Sequence, residues 1–544
     1  MRVSELLSRV AGAAAASAVY ALSGQPQPIV DLDYGKYLGV RLEASRVDQY
    51  LGMRFARPPE EDLRWRAPQD PEPFQEIQAA GQFRPLCIGV AEPVAGKPEA
   101  EDCLFINVFT PSDAKPSSKL PVWLYIQGGA YHGNMDPDIN GTKVVQESGH
   151  NIVMVNFNYR VGAYGFLASE EVERDGDLNV GLLDQRKAMQ WVQRHISKFG
   201  GDPEHVVIHG TSAGAGSLSY HLAAYGGRND GLFVGAIPHA TYWTSSGEVR
   251  EHQYKYDRFV ADVGCYDIAD SLACLRTANI DGIAAGNKAY HLAGAAGDLP
   301  FTLSYWMPVI DGDFVRSALY DSFTHGNFVK VPLLISSATD EGSSFAYNAS
   351  TSEAFSLALQ NSYPSLSMVS DIPQIISLYP LHKDMPQRAA WFPSVSAAIS
   401  DINFICPANW LASRSTQYLP SKKVWHSRFN MQDPTSIARG LGTPHAQDKP
   451  AIFGPGFTAP DHLPSLNDIN KPLVPVIMRY YISFVRSLDP NTYKDADAPV
   501  WKTWGPGNGQ KLLLQTNATS MEPISEVNLA RCNYWTFLAK KMNM

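Results

Sequence analysis

Short apolar runs alternate with stretches of helical spacing through much of the chain. Residues 120–127 (LPVWLYIQ) and 151–160 (NIVMVNFNYR) are nearly continuous in their apolar character, the pattern of strands covered on both faces. Residues 181–199 change period: Ala188, Trp191, Val192 and Ile196 fall on one face of a predicted helix. Gly200-Gly201-Asp202-Pro203 breaks that helix, and a strand is predicted over residues 205–209. The same rhythm returns at residues 331–336 (VPLLIS) and 424–430 (VWHSRFN). Strand, helix and strand in series predict an α/β fold with a large, mostly parallel central sheet flanked by helices. In such folds reactive groups gather at the carboxyl ends of the strands.

The end of one predicted strand carries candidate chemistry. In residues 206–217, VVIHGTSAGAGS, the segment Gly210-Thr211-Ser212-Ala213-Gly214 fits G-x-S-x-G and lies between a buried strand and a predicted helix. The glycines let strand and helix pass closely while the serine occupies a strained turn that exposes its hydroxyl. A serine hydroxyl is a poor nucleophile until a base takes its proton and an acid orients that base. In this architecture the acid and then the histidine follow downstream, each on a loop after a strand. The strand at 331–336 runs into Asp340 and Glu341, and spacing does not choose between these adjacent carboxylates. The strand at 424–430 leads to a loop with Gly440, Gly442, Pro444 and then His445. His426 is its nearest competitor but lies within the strand pattern, so His445 is the predicted base. Upstream, Ile126-Gln127-Gly128-Gly129-Ala130-Tyr131 ends another strand in small residues. Its N–H groups, with that of Ala213, are placed to hold a developing oxyanion.

Composition narrows the setting. The 544 residues are 44% apolar, enough for a large core, and no linker or repeat divides them. The net charge of −9 without a long basic run argues against nucleic acid as a partner. Arg2 and Arg9 precede an uncharged run over residues 10–22, too short for a bilayer but suited to a signal peptide. The expected organisation is a leader over residues 1–23 and a single domain over 24–544. Six cysteines and three sequons, at Asn140, Asn348 and Asn517, support export and glycosylation. No other stretch is long and apolar enough to be a membrane span.

Five segments in order resemble the type-B carboxylesterase/lipase family of the α/β-hydrolases, which includes cholinesterases and fungal secreted lipases. They are GMRFARPP (52–59), EDCLFINVF (101–109), NYRVGAYGFL (158–167), GLLDQRKAMQWV (181–192) and FGGDPEHVVIHGTSAGAGS (199–217). The resemblance implies Ser212 as nucleophile, Glu341 as acid and His445 as base, because the family's acid immediately precedes the glycine of Asp340-Glu341-Gly342. It implies oxyanion donors at Gly129, Ala130 and Ala213, with Ala130 where many relatives have a third glycine. It also selects one of the possible disulfide pairings: Cys87 with Cys103, Cys265 with Cys274, and Cys406 with Cys532. Neither metal nor organic cofactor is expected. One departure stands out: relatives commonly carry Gln-Ser-Gly where this chain reads His239-Ala240-Thr241, so support for the acid is expected from another group.

The implied substrate is a small-molecule ester. Fifteen residues without an aromatic side chain, IGVAEPVAGKPEAED, separate Cys87 from Cys103. They offer neither a tryptophan for a quaternary ammonium nor a long amphipathic lid, which points to soluble or short-chain esters. The same scaffold also hosts non-catalytic binding or adhesion proteins, and the same chemistry serves lactones or transfer to a non-water acceptor.

Overall fold

A computed structural model describes residues 27–90, 98–135, 139–290, 292, 304–381, 384–458, 463–505 and 509–544. The expected leader, residues 1–23, and residues 91–97 of the first disulfide loop lie outside the described residues.

The apolar runs become strands of one sheet. They are β1 (Val40–Leu42), β2 (Val47–Arg54), β3 (Phe105–Pro111), β4 (Leu120–Ile126), β5 (Val153–Phe157) and β6 (Gly201–Thr211). The second half adds β7 (Gly235–His239), β8 (Leu333–Ala338), β9 (Val424–Asn430), β10 (Gln510–Gln515) and β11 (Ser520–Pro523). Their spatial order is β11-β10-β9-β8-β7-β6-β4-β5-β3-β2-β1. Every neighbouring pair from β5 across β4, β6, β7, β8 and β9 to β10 is parallel. The edges are antiparallel, so the sheet is mixed with a parallel centre.

Helices cover both faces. They include α1 (Val180–His195), α2 (Ala213–Gly227), α3 (Phe392–Ser400), α4 (Cys406–Tyr418), α5 (Leu473–Ser487) and α6 (Glu526–Ala539). Alternation along each central strand splits the core in two. Val206 and Ile208 of β6 pack in the cluster that includes Ala188, Trp191 and Val192 of α1, whereas Val207 faces the cluster of α5 with Ile477 and Phe484. A strand with apolar residues at every position is the expected solution when both faces are dry.

One boundary differs from the sequence pattern. The break predicted at residues 200–203 is instead the start of β6: Gly201 pairs with Leu120, and the register shifts before Val206 meets Val122. Gly200, at φ +83°, ends the preceding turn in a conformation favourable only to glycine, and the strand resumes at once. The cysteines pair as the resemblance implied, Cys87 with Cys103, Cys265 with Cys274 and Cys406 with Cys532.

Candidate active site

Ser212 stands between β6 and α2 with φ 60° and ψ −123°, a conformation that strains any residue with a side chain. Close packing enforces it. A Cβ on Gly210 would lie 2.3 Å from the carbonyl oxygen of Gly214, and one on Gly214 would lie 2.2 Å from that of Ile126. Both glycines of G-x-S-x-G are therefore required by backbone contact. The elbow is fixed further by the Ser212 N–H, which donates to the carbonyl of His239 at 3.0 Å.

The loop after β4 approaches the same serine. A Cβ on Gly128 would come within 2.9 Å of the Ser212 Cβ. Gly129, Ala130 and Tyr131 follow with φ of 125°, 54° and 60°, so alanine here accepts a backbone shape that glycine takes more easily. Among the described residues none of the N–H groups of Gly129, Ala130 and Ala213 is used in a backbone hydrogen bond. Ala213 also opens α2, whose N-terminal dipole favours negative charge. Beneath the loop, Gln127 donates through Nε2 to Asn134 Oδ1 at 2.7 Å, and Tyr159 donates its hydroxyl to the Gln127 carbonyl at 3.0 Å. Polar braces of this kind carry no sequence motif and were not predicted.

Glu341 begins a short 3-10 turn after β8 and is fully buried. One carboxylate oxygen, Oε1, accepts the Ala338 N–H at 2.6 Å; the other, Oε2, accepts a short hydrogen bond from His445 Nδ1. The adjacent Asp340 turns elsewhere, accepting the Thr443 N–H at 2.8 Å, and burial raises its carboxyl above the usual range. His445 reaches the site from the loop after β9, and its Nε2 has no hydrogen-bond partner among the described residues. His426, the nearest alternative, is buried in β9 against Trp504.

Aromatic side chains run along this loop. His445 packs against both Phe345 and Phe404, at centroid distances of 5.0 and 4.7 Å, and Tyr242 continues from Phe404 to Tyr131 beside the glycine loop. Phe404 lies on a π-helical segment, Asp401–Ile405, that joins α3 to α4. Such bulges cluster at functional sites. The 3.6-residue period does not reveal them.

The departure at His239 is also resolved. Support for Glu341 comes from the backbone of Ala338, while His239 builds a separate buried link. Its Nε2 donates to Asp448 Oδ1 at 2.8 Å and its Nδ1 accepts from the Thr211 hydroxyl at 2.9 Å. His239 thus ties the residue before Ser212 to a residue shortly after His445.

The sequon asparagines differ in exposure. Asn348 and Asn517 are exposed, whereas Asn140 is half-buried with its Oδ1 accepting the Thr142 N–H at 3.0 Å. No described helix is long and apolar enough to cross a membrane.

Comparison with known proteins places this geometry among others. The family model described as "Carboxylesterase family" matches residues 26–535. Lipase 2 of Geotrichum candidum is 31% identical over 88% of this chain and 90% of its own length. Secreted lipase 4 of Gibberella zeae is 29% identical over 98% of both chains. The crystal structure of Aspergillus niger EstA is 50% identical, covering 95% of this chain and 99% of that one with a TM-score of 0.92.

Proposed function

The chain belongs to the carboxylesterase family and is a carboxylic ester hydrolase; from that premise we propose that it cleaves soluble, short-chain esters through Ser212, His445 and Glu341. The observation that carries the reading is the His445 ring: Nδ1 is held by Glu341, while Nε2 is unpartnered and able to accept a proton.

In the proposed reaction His445 Nε2 takes the Ser212 proton as Oγ attacks the ester carbonyl. The tetrahedral oxyanion accepts hydrogen bonds from the N–H groups of Gly129, Ala130 and Ala213, and Glu341 stabilises the imidazolium. Collapse breaks the ester C–O bond, and the alcohol departs with the proton from His445. Water then attacks the acyl-serine, giving its proton to the same nitrogen, and the acid leaves as Oγ recovers its proton. The short segment between Cys87 and Cys103, without aromatic residues, supports the preference for small soluble esters over a lipid surface.

Secretion with glycans at the sequons belongs to the same proposal. It is supported by three disulfides and by the secreted lipase among the relatives. Ser212→Ala should remove turnover of a panel of p-nitrophenyl esters while leaving the melting temperature within a few degrees. Retained turnover would disprove the nucleophile. A rate that rises sharply once long-chain triglyceride forms an emulsion would disprove the substrate preference.

A further inference from the structure

The loop after β4 holds two residues with side chains, Ala130 and Tyr131, at φ 54° and 60°. Backbone of this kind persists only where its surroundings over-determine it. Part of the restraint is main chain. The Gly129 carbonyl accepts the N–H groups of His132 and Gly133 at 2.8 and 3.0 Å, the Tyr131 carbonyl accepts that of Gly162 at 2.7 Å, and the His132 carbonyl accepts that of Val90 at 2.8 Å.

His132 adds a tie through its side chain. The ring is buried, and Nε2 accepts the Trp306 N–H at 3.1 Å, a bond across 174 positions of the chain. The segment that donates it is itself held. Lys255, buried on the helix Gln253–Val263, donates through Nζ to the Tyr305 carbonyl at 2.5 Å and to His252 Nδ1 at 2.9 Å. The Trp306 indole donates to the Lys288 carbonyl at 3.0 Å. Burial, with the Lys255 charge nearby, pushes the His132 ring down to about 3, so Nε2 stays an acceptor at neutral pH.

His132 thus clamps the chain immediately after Gly129 and Ala130, whose amides are the proposed oxyanion donors. We infer that His132 is a positioning residue: by fastening this loop to Trp306 it keeps the Gly129 and Ala130 N–H groups aimed at the oxyanion. Because it requires an oxyanion formed at Ser212, this role rests on the triad reading above. A displaced donor costs more in the transition state than in the bound substrate, since the charge it serves exists only in the former.

Two variants separate the bond from the bulk of the ring. His132→Leu fills similar space but accepts no hydrogen bond, whereas His132→Gln offers Oε1 to the Trp306 N–H. Each is assayed on p-nitrophenyl butyrate and titrated with two inhibitors of similar size. Trifluoromethyl pentyl ketone takes the Ser212 Oγ onto its carbonyl carbon, the serine proton passing to His445, and its oxygen becomes an oxyanion; methyl pentyl ketone binds without this addition. The expected result in His132→Leu is a parallel loss, roughly ten- to a hundredfold, in kcat/KM and in affinity for the fluorinated ketone, with methyl pentyl ketone binding unchanged. His132→Gln should recover most of both losses. Unchanged turnover and inhibition in His132→Leu, or an equal loss for both ketones, overturns the inference. Should His132→Leu not fold, Lys255→Met, which strips the Tyr305 carbonyl of its donor at the far end of the clamp, should give the same pattern, and an unaltered affinity for the fluorinated ketone there overturns it. Turnover retained in Ser212→Ala would instead defeat the triad reading, whereas turnover lost in Ser212→Ala and intact in His132→Leu defeats this inference alone.

Discussion

Asp340 and Glu341 are neighbours in the chain whose carboxylates hold two successive parts of one loop, the Thr443 amide and the His445 imidazole. The division follows from the 3-10 turn that starts at Glu341, which carries its side chain inward while Asp340 stays beside the loop. The two acids therefore differ in what their amides would cost. Glu341→Gln removes the charge that stabilises an imidazolium and permits the wrong tautomer; kcat on p-nitrophenyl butyrate should fall by roughly three to four orders of magnitude. Asp340→Asn keeps an acceptor for Thr443 and should lose no more than about tenfold. Equal losses in the two variants would contradict the assigned roles.

The parts of this arrangement that could be read in advance are those set by local backbone demands. Gly210 and Gly214 announce a close strand-to-helix crossing, and the structure shows backbone atoms where their side chains would be. Residues 424–430 were legible as a strand because Val424, Trp425 and Phe429 lie between turn-forming flanks, and β9 has those bounds. The start of β6 was not legible, since Gly-Asp-Pro reads as a break while a register shift lets the strand absorb it. The choice between Asp340 and Glu341 needed either a resemblance or coordinates, because adjacent carboxylates look alike until a turn orients them. The link from His239 to Asp448 joins residues 209 positions apart. No periodicity encodes such a contact, and the same holds for Phe404 on its π-helical turn.

That link gives a second prediction. His239 and Asp448 are both buried, and the carbonyl of His239 also anchors the Ser212 N–H. His239→Ala leaves Asp448 buried without its donor, which should reduce stability by about 3–5 kcal/mol in urea unfolding. His239→Gln retains a donor and should recover much of that loss. If alanine and glutamine are equally destabilising, the hydrogen bond to Asp448 is not the source.

The three disulfides should contribute unequally. Cys406 and Cys532 are 126 residues apart and join α4 to α6, whereas Cys265 and Cys274 close a loop with a separation of 9. In the chain-entropy account the longer loop restrains the unfolded state more, to a limit of about 5 kcal/mol. Replacing both Cys406 and Cys532 by alanine should lower the urea midpoint markedly, and replacing Cys265 and Cys274 should lower it less. The opposite order would place the stabilisation in native packing around the short loop.

Buried histidines set the response to mild acid. His132, His209, His221, His252 and His426 are all shifted down by burial, His132 to about 3. In the unfolded chain each takes up a proton near pH 6.5, while the folded protein keeps its ring neutral, so the unfolded state binds more protons as pH falls. Stability is present above pH 6.5 and is lost on acidification, with a limiting slope of about 1.4 kcal/mol per pH unit for each such histidine. Carboxyls raised by burial oppose this, since the native state protonates them first; Asp401, at about 6, enters only toward the lower end of the window. Unfolding free energy should therefore decline between pH 7 and pH 6, and the decline should steepen below that as the five rings approach their limiting slope, less at most the one proton that Asp401 opposes. His132 accepts the Trp306 N–H at 3.1 Å, a contact that glutamine can replace, and His132→Gln should reduce the slope by close to one proton. A stability flat from pH 7 to pH 6 would mean that these rings take up protons without unfolding, and that water reaches them in the native state.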